Sequence, residues 1–257
     1  MQVYSTGRSG DLLEFLTLDA LQAAAYTLED QRRMSHAKNY FAWQGRLVGR
    51  EIGQRVIEVG CGVGNFTENL LEREAILALD KESRCIEALK QRYATRQNLR
   101  ALSCDAEVLD RHRSELAGFG ADSCVCLNVL EHIGDDSGAL RGMASLITSN
   151  GVVVLLVPAF PALFGPIDRN LGHYRRYTRE SITQLAKMAG LRVKKAHYVN
   201  WAGFFGWWFN SHVLKREAQS EKQIDAFDKL APILSWMEGL AHPPFGQSLF
   251  AVLQKPC

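Results

Sequence analysis

The sequence has no long apolar run, no surplus of one charge and no spaced metal-binding cysteines. Its longest apolar stretch, residues 151–165, is short for a membrane-spanning helix and is broken by Pro158 and Pro161. Thirty Lys and Arg against 28 Asp and Glu leave a formal charge of +2, too small to argue for nucleic acid or an anionic membrane as partner. Six cysteines, Cys61, Cys85, Cys104, Cys124, Cys126 and Cys257, show no ligand spacing, so no metal is expected. Cys124 and Cys126 alternate on one face of an apolar strand pattern and read as reduced thiols of a cytoplasmic protein. No basic-then-apolar leader opens the chain. Its 257 residues suffice for one large α/β domain with its own core.

What is present is concentrated at residues 55–64, Arg-Val-Ile-Glu-Val-Gly-Cys-Gly-Val-Gly. Val56, Ile57 and Val59 read as a buried strand, Gly60, Gly62 and Gly64 follow on alternate positions, and residues 65–71 open a helical pattern. Such a turn lets a ligand lie against bare backbone, because no Cβ intervenes. The dinucleotide fingerprint G-x-G-x-x-G would need glycine where Asn65 stands. Glu58, two residues before the first glycine, would repel a pyrophosphate but suits a ligand carrying an ammonium and a sulfonium. The turn therefore favours S-adenosylmethionine over NAD.

Further acids follow at matching intervals. Residues 75–80 read as a second strand ending in Asp80, whose carboxylate can accept from both ribose hydroxyls. Residues 98–107 read as a third strand ending in Asp105, placed to take an adenine amino group while the Ala106 N–H reaches a ring nitrogen. Residues 122–128 give a fourth strand leading into Val129-Leu130-Glu131-His132-Ile133, and residues 151–157 a fifth.

In this order the motifs resemble the class I S-adenosylmethionine-dependent methyltransferases, near the bacterial type 11/12 group that includes ubiquinone and menaquinone methyltransferases. The likeness covers residues 36–200 and a last strand at 248–254. It implies a Rossmann-like, doubly wound α/β sheet of seven strands, the last antiparallel, with S-adenosyl-L-methionine as cofactor and S-adenosyl-L-homocysteine as product. By resemblance Glu58, Gly60, Cys61, Gly62, Asn65 and Phe66 cradle the methionine part. Asp80 with Lys81 holds the ribose, Asp105 with Ala106 the adenine, and the backbone at Asn128 and Val129 meets the methionine amino group. Val63 departs from the commoner Thr or Ser and removes at most one hydroxyl.

The flanks divide the chain into a helical cap (1–54), the cofactor-binding core (55–199), an insertion (200–246) and a final core strand (247–257). Apolar spacing predicts a helix over 11–28 and another from Ser35, as N-cap, to Val48. Phe41 and Trp43 read as core, whereas Tyr40 either packs likewise or touches the methionine carboxylate or the acceptor. Three prolines within residues 158–166 predict an ordered loop without regular helix over 158–172. Thr178 caps the next helix, which runs to Ala189 before Gly190, and residues 191–199 form strand six.

Candidate acceptor residues are Tyr174, Arg175 and Arg176, which either fix the loop locally or hold an acidic group, and Trp201 and Phe205 in the insertion. Six of the nine residues 201–209 are aromatic, which reads as a lid over an apolar acceptor, a homodimer contact, a peripheral membrane surface or plain core. Residues 215–229 look like a solvated helix or linker and residues 232–240 like a separate amphipathic segment. His132, His173 and, behind them, Asp168 are candidate bases, needed only if the acceptor must lose a proton.

The leading reading is methyl transfer to O, N or activated C of a small, partly apolar acceptor in natural-product, prenyl-lipid or glycan-precursor biosynthesis. Residues 128–131, Asn-Val-Leu-Glu, lack the Asn/Asp-Pro-Pro-Tyr of DNA amino-methylases, and no basic arm exists, which disfavours a nucleic-acid substrate. A binding protein that has lost turnover is the remaining alternative; the intact acids and glycines argue against it.

Overall fold

The computed structural model describes residues 31–216, 218, 220–240 and 243–257; the helix expected over 11–28 lies outside the described residues. Short apolar runs, most of them buried on both faces, build seven strands: β1 (Arg55–Val59), β2 (Ala75–Asp80), β3 (Leu99–Ser103), β4 (Ala121–Leu127), β5 (Ile147–Pro158), β6 (Arg192–Val199) and β7 (Ser248–Gln254). They form one sheet in the order β3-β2-β1-β4-β5-β7-β6, parallel throughout except for β7, which runs antiparallel to β5 and β6. The doubly wound α/β fold with its antiparallel last strand is thus as expected.

Alternation along the strands assigns side chains to two cores. Ile57, Val59, Leu77, Leu79, Cys124 and Cys126 meet helices α3 (Asp136–Leu146) and α4 (Arg179–Met188) on one face. Val56, Ile76, Val125 and Val154 meet Trp43 of helix α1 (Lys38–Gly49) on the other, with Tyr40 and Phe41 packed at its margin. Helix α2 (Ser83–Arg92) covers Cys61 and Ala78 near the sheet's edge. Full burial of each such side chain contributes about 1.5–3 kcal/mol.

Several boundaries differ from expectation, each for a local reason. The glycine turn leads only to a short 3-10 turn, Thr67–Leu70, because Phe66, Thr67 and Leu70 are drawn into the sheet face beside Trp43. Strand β3 stops at Ser103; Asp105 accepts from Glu107 N (2.9 Å), and that side-chain bond replaces the ladder. Ser35 does not cap α1, whose N-cap is Ala37; the Ser35 hydroxyl donates to Arg32 O instead. Residues 158–172 do hold short helices, Pro161–Leu163 and Pro166–Asn170, since proline at a first position gives up an N–H that needs no partner there. Thr178 caps α4 as expected, its hydroxyl accepting from Ser181 N at 3.2 Å.

The insertion holds α5 (Trp201–Trp208) and α6 (Glu221–Leu240). Helix α6 is continuous through Pro232 rather than split into a linker and a second segment. Contacts with α1 carry it across the proline: Asp228 accepts from Tyr40 N (2.9 Å) and Asn39 Nδ2 (3.1 Å), and Arg46 donates to Ser235 Oγ (3.2 Å). No described helix is long and apolar enough to cross a membrane.

Candidate functional site

The sheet order reverses between β1 and β4, and the crevice at their carboxyl ends is where open α/β sheets take ligands. There the chain after β1 folds into a turn whose Gly60 and Cys61 N–H groups donate to Leu79 O at 2.7 and 3.0 Å. Gly62 N donates to Asp80 Oδ2 (2.8 Å), and Asp80 Oδ1 accepts from Glu82 N (2.9 Å), tying the tips of β1 and β2 together. Gly60 is left-handed (φ 76°), and a Cβ there would strike Val129. Asn128, just past β4, is also left-handed (φ 53°), with its N–H on Leu156 O at 2.7 Å. A non-glycine residue held in that region at a crevice marks a constrained site.

These tips open into a cavity of about 540 Å³, within the usual range for small-molecule sites. Glu58, Gly60, Cys61, Asn65, Phe66, Asn128 and Val129 form part of its wall, with Tyr40, Phe41 and Gln44 of α1. Glu131, His132, His173 and Arg176 supply a second polar group, and the insertion supplies apolar Gly203, Gly206, Trp207, Ile224 and Phe227 together with the amides of Asn210 and Gln223.

Buried charge dominates the electrostatics. Glu58, accepting from Thr67 Oγ1 at 2.7 Å, has its carboxyl pushed up to about 8 by burial. Glu131 is raised by burial to about 7, partly offset by His173 and Arg176. Tyr40 is pushed to about 12 by burial against hydrogen bonds with Gln44 and Asn128. His132 falls to about 4 through burial and the neighbouring His173, so it is neutral at physiological pH. Burial opposes ionisation of Asp168, yet the His173 hydrogen bond and the Arg176 charge hold its carboxyl below the ordinary range.

Asp168 organises this end of the cavity. Its Oδ1 meets His173 Nδ1 at 2.9 Å and Arg176 Nε at 2.8 Å; its Oδ2 accepts from Gly165 N (2.9 Å) and Trp207 Nε1 (3.3 Å). An ionised carboxylate on Nδ1 fixes the His173 proton there and leaves Nε2 as the basic atom. The His132 and His173 rings meet edge to face at 4.6 Å. One ligand atom from each of Glu131, His132 and His173 lies within 4.8 Å of the others, a grouping able to hold a cation although the cysteine pattern gave no sign of it.

Of the residues singled out in the sequence, Tyr40, Glu58, Gly60, Cys61, Asn65, Phe66, Asn128, Val129, His132, His173 and Arg176 converge on the cavity. Gly62, Asp80, Lys81, Asp105 and Ala106 lie at the neighbouring strand tips, outside its wall. Four acceptor candidates do not line it. Tyr174 is 64% exposed. Arg175 is drawn off by Asp136 (2.6 Å) and Gly134 O (2.9 Å). Phe205 points to solvent, and Trp201 starts α5 with its N–H on Glu238 at 2.8 Å. The helical period instead presents Gly203, Gly206, Trp207 and Asn210. Gln44 was also missed; its signal is the i, i+4 spacing from Tyr40 on one face of α1.

A mixed seven-stranded sheet of this order, with a glycine turn and an acid at the tip of β2, defines the Rossmann-like methyltransferase fold. Residues 57–153 match the family described as a methyltransferase domain. The ubiquinone biosynthesis O-methyltransferase of Acinetobacter baumannii is 25% identical over 167 residues, 64% of this chain and 66% of that relative's length. A SAM-dependent methyltransferase from Archaeoglobus fulgidus is 17% identical with a TM-score of 0.57, covering 85% of this chain and 94% of that one. The magnesium protoporphyrin IX methyltransferase of Synechocystis, solved with bound SAH, is 14% identical with a TM-score of 0.51, covering 86% and 83%. Together these likenesses support a class I S-adenosylmethionine-dependent methyltransferase.

Proposed function

We propose that this chain binds S-adenosylmethionine in the cavity and transfers its methyl group to a hydroxyl of a small, partly apolar acceptor. The observation that carries the reading is the His173–Asp168 pair: a base fixed by a buried, ionised carboxylate beside a glycine-turn pocket. The residues fit the cofactor. Gly60 leaves room that a Cβ would fill, and Glu58 is a buried carboxylate suited to an ammonium. Asp80 and Asp105 retain acceptor capacity for ribose and adenine beyond their backbone bonds. When bound, the cofactor supplies a methyl group on a positively charged sulfur, which an acceptor oxygen takes up with release of S-adenosyl-L-homocysteine.

The chain's part is to bind, align and take one proton. His173 Nε2 accepts the hydroxyl proton while Nδ1–H stays on Asp168, which stabilises the imidazolium formed. His132, neutral and poorly basic, positions rather than abstracts. Trp207, Ile224 and Phe227 keep water from the acceptor's apolar part. Isothermal titration with S-adenosylmethionine tests the reading; binding that NAD does not displace is expected. Absence of binding would leave a fold without the activity.

A further inference from the structure

The insertion turns apolar side chains outward as well as inward. Among the described residues, every large apolar side chain that is well exposed lies on it, apart from Tyr174 and Met188. Phe205, Trp208, Phe209, Val213 and Leu214 form the outer side of α5 and of the turn that follows it. Leu230, Ile233, Trp236 and Met237 recur at helical spacing along α6, and Trp236 is 67% exposed. Soluble proteins seldom leave such groups together in water, and a large exposed patch marks a surface that meets something apolar.

The two helices lie side by side in opposite directions. Trp201 N at the start of α5 donates to Glu238 near the end of α6 (2.8 Å), and Gln223 Nε2 near the start of α6 donates to Asn210 Oδ1 just past α5 (3.2 Å). Their exposed side chains therefore belong to one outer surface. The polar pattern of α6 is inverted relative to an ordinary surface helix: its acids Asp228 and Glu238 are buried, accepting from Tyr40 N and Trp201 N, while its bulkiest apolar groups face out.

Charge decides what that surface meets. The whole chain carries only +2, but its cations are unevenly placed. Lys215 and Arg216 directly follow Leu214, and Lys222 and Lys229 stand seven apart on α6, in line with Ile233; all four are exposed. The exposed acids among the described residues 201–240 are Glu221 and Asp225, and Glu221 already faces Arg33 at 4.0 Å. A symmetric pair of copies would bring this basic rim against itself. An anionic bilayer takes both kinds of group, aromatic and aliphatic side chains among the headgroups and cations at the lipid phosphates.

We propose that the outer face of α5 and α6 docks on an anionic lipid bilayer, with Trp208, Ile233 and Trp236 entering the headgroup region and Lys215, Arg216, Lys222 and Lys229 meeting its phosphates. The helices lie on the surface rather than cross it; no described helix is long and apolar enough to span. Gly203, Trp207, Ile224 and Phe227 of the same two helices line the cavity, so docking sets the cavity about one helix diameter, roughly 10 Å, from the lipid. The inference stands independently of the cofactor and of the acceptor.

The test uses the full chain, sedimented with vesicles of phosphatidylcholine alone and of phosphatidylcholine mixed with phosphatidylglycerol. Partition onto the mixed vesicles is expected to be at least about tenfold stronger, and to fall as salt is raised. Tryptophan emission should shift to the blue on the mixed vesicles and be quenched by lipids brominated in the acyl chain. The pair Trp208→Ala and Trp236→Ala should weaken partition at least about tenfold, and the pair Lys222→Glu and Lys229→Glu should erase the preference for the anionic lipid. All four residues are exposed, so both variants should melt with the wild type. No association with the mixed vesicles at low salt, or association that neither pair alters, would overturn the proposal. So would a wild-type dimer in sedimentation equilibrium that the tryptophan pair dissociates, since a second copy would then cover this face.

Discussion

His173 Nδ1 and Asp168 Oδ1 stand 2.9 Å apart, with the Asp168 side chain fully buried and that of His173 nearly so. The contact brings a loop histidine, the short helix Pro166–Asn170, Arg176 and Trp207 of the insertion into one network. His173→Ala should lower turnover by about 10²–10⁴-fold, the usual contribution of a positioned base, with cofactor affinity unchanged. His132→Ala should cost much less, because its nitrogen is a weak base. Comparison of kcat and cofactor Kd for the two variants decides this; equal losses would refute the ranking.

Asp168→Ala is expected to be far more damaging than loss of a surface ion pair. It strands the buried Arg176 charge and four donors, so about 3–5 kcal/mol of stability should be lost. Denaturant unfolding measures it, and a cost under about 1 kcal/mol would mean the network is not holding the site.

Stability should fall as pH rises. Glu58 and Glu131 have carboxyl groups raised to about 8 and about 7, so the folded apo protein holds their protons more tightly than the unfolded chain. That contribution is fully present below about pH 4.5 and is lost progressively up to about pH 8. A cofactor ammonium beside Glu58 would stabilise its ionised form and flatten the upper part of this dependence. Melting curves from pH 5 to 9, with and without S-adenosylhomocysteine, report both effects.

Asp80→Ala should weaken cofactor binding by about 1–3 kcal/mol, through the lost ribose contact and through release of Gly62 N. Titration calorimetry gives the number, and unchanged affinity would remove the ribose assignment.

Gly60→Ala should abolish cofactor binding. A methyl group there collides with Val129, and the φ of 76° is costly for alanine. Retained affinity would show that the turn can shift without loss.

The sequence alone determined the elements whose signal is local. Short continuous apolar runs marked the strands, three spaced glycines marked the turn, and Asp80 at a strand end marked the tip beside it. Thr178 and Ser181 announced their own helix cap because both partners lie within one turn. What depended on distant partners was not legible. Helix α6 crosses Pro232 because α1 grips it through Asp228 and Ser235, a contact some 190 residues away in sequence. The choice of Arg176 over Arg175, and of Trp207 over Trp201 and Phe205, follows from where the folded backbone points each side chain. Only tertiary structure could place Asp168 between His173, Arg176 and Trp207, because burial forces polar atoms distant in sequence to find partners in one another.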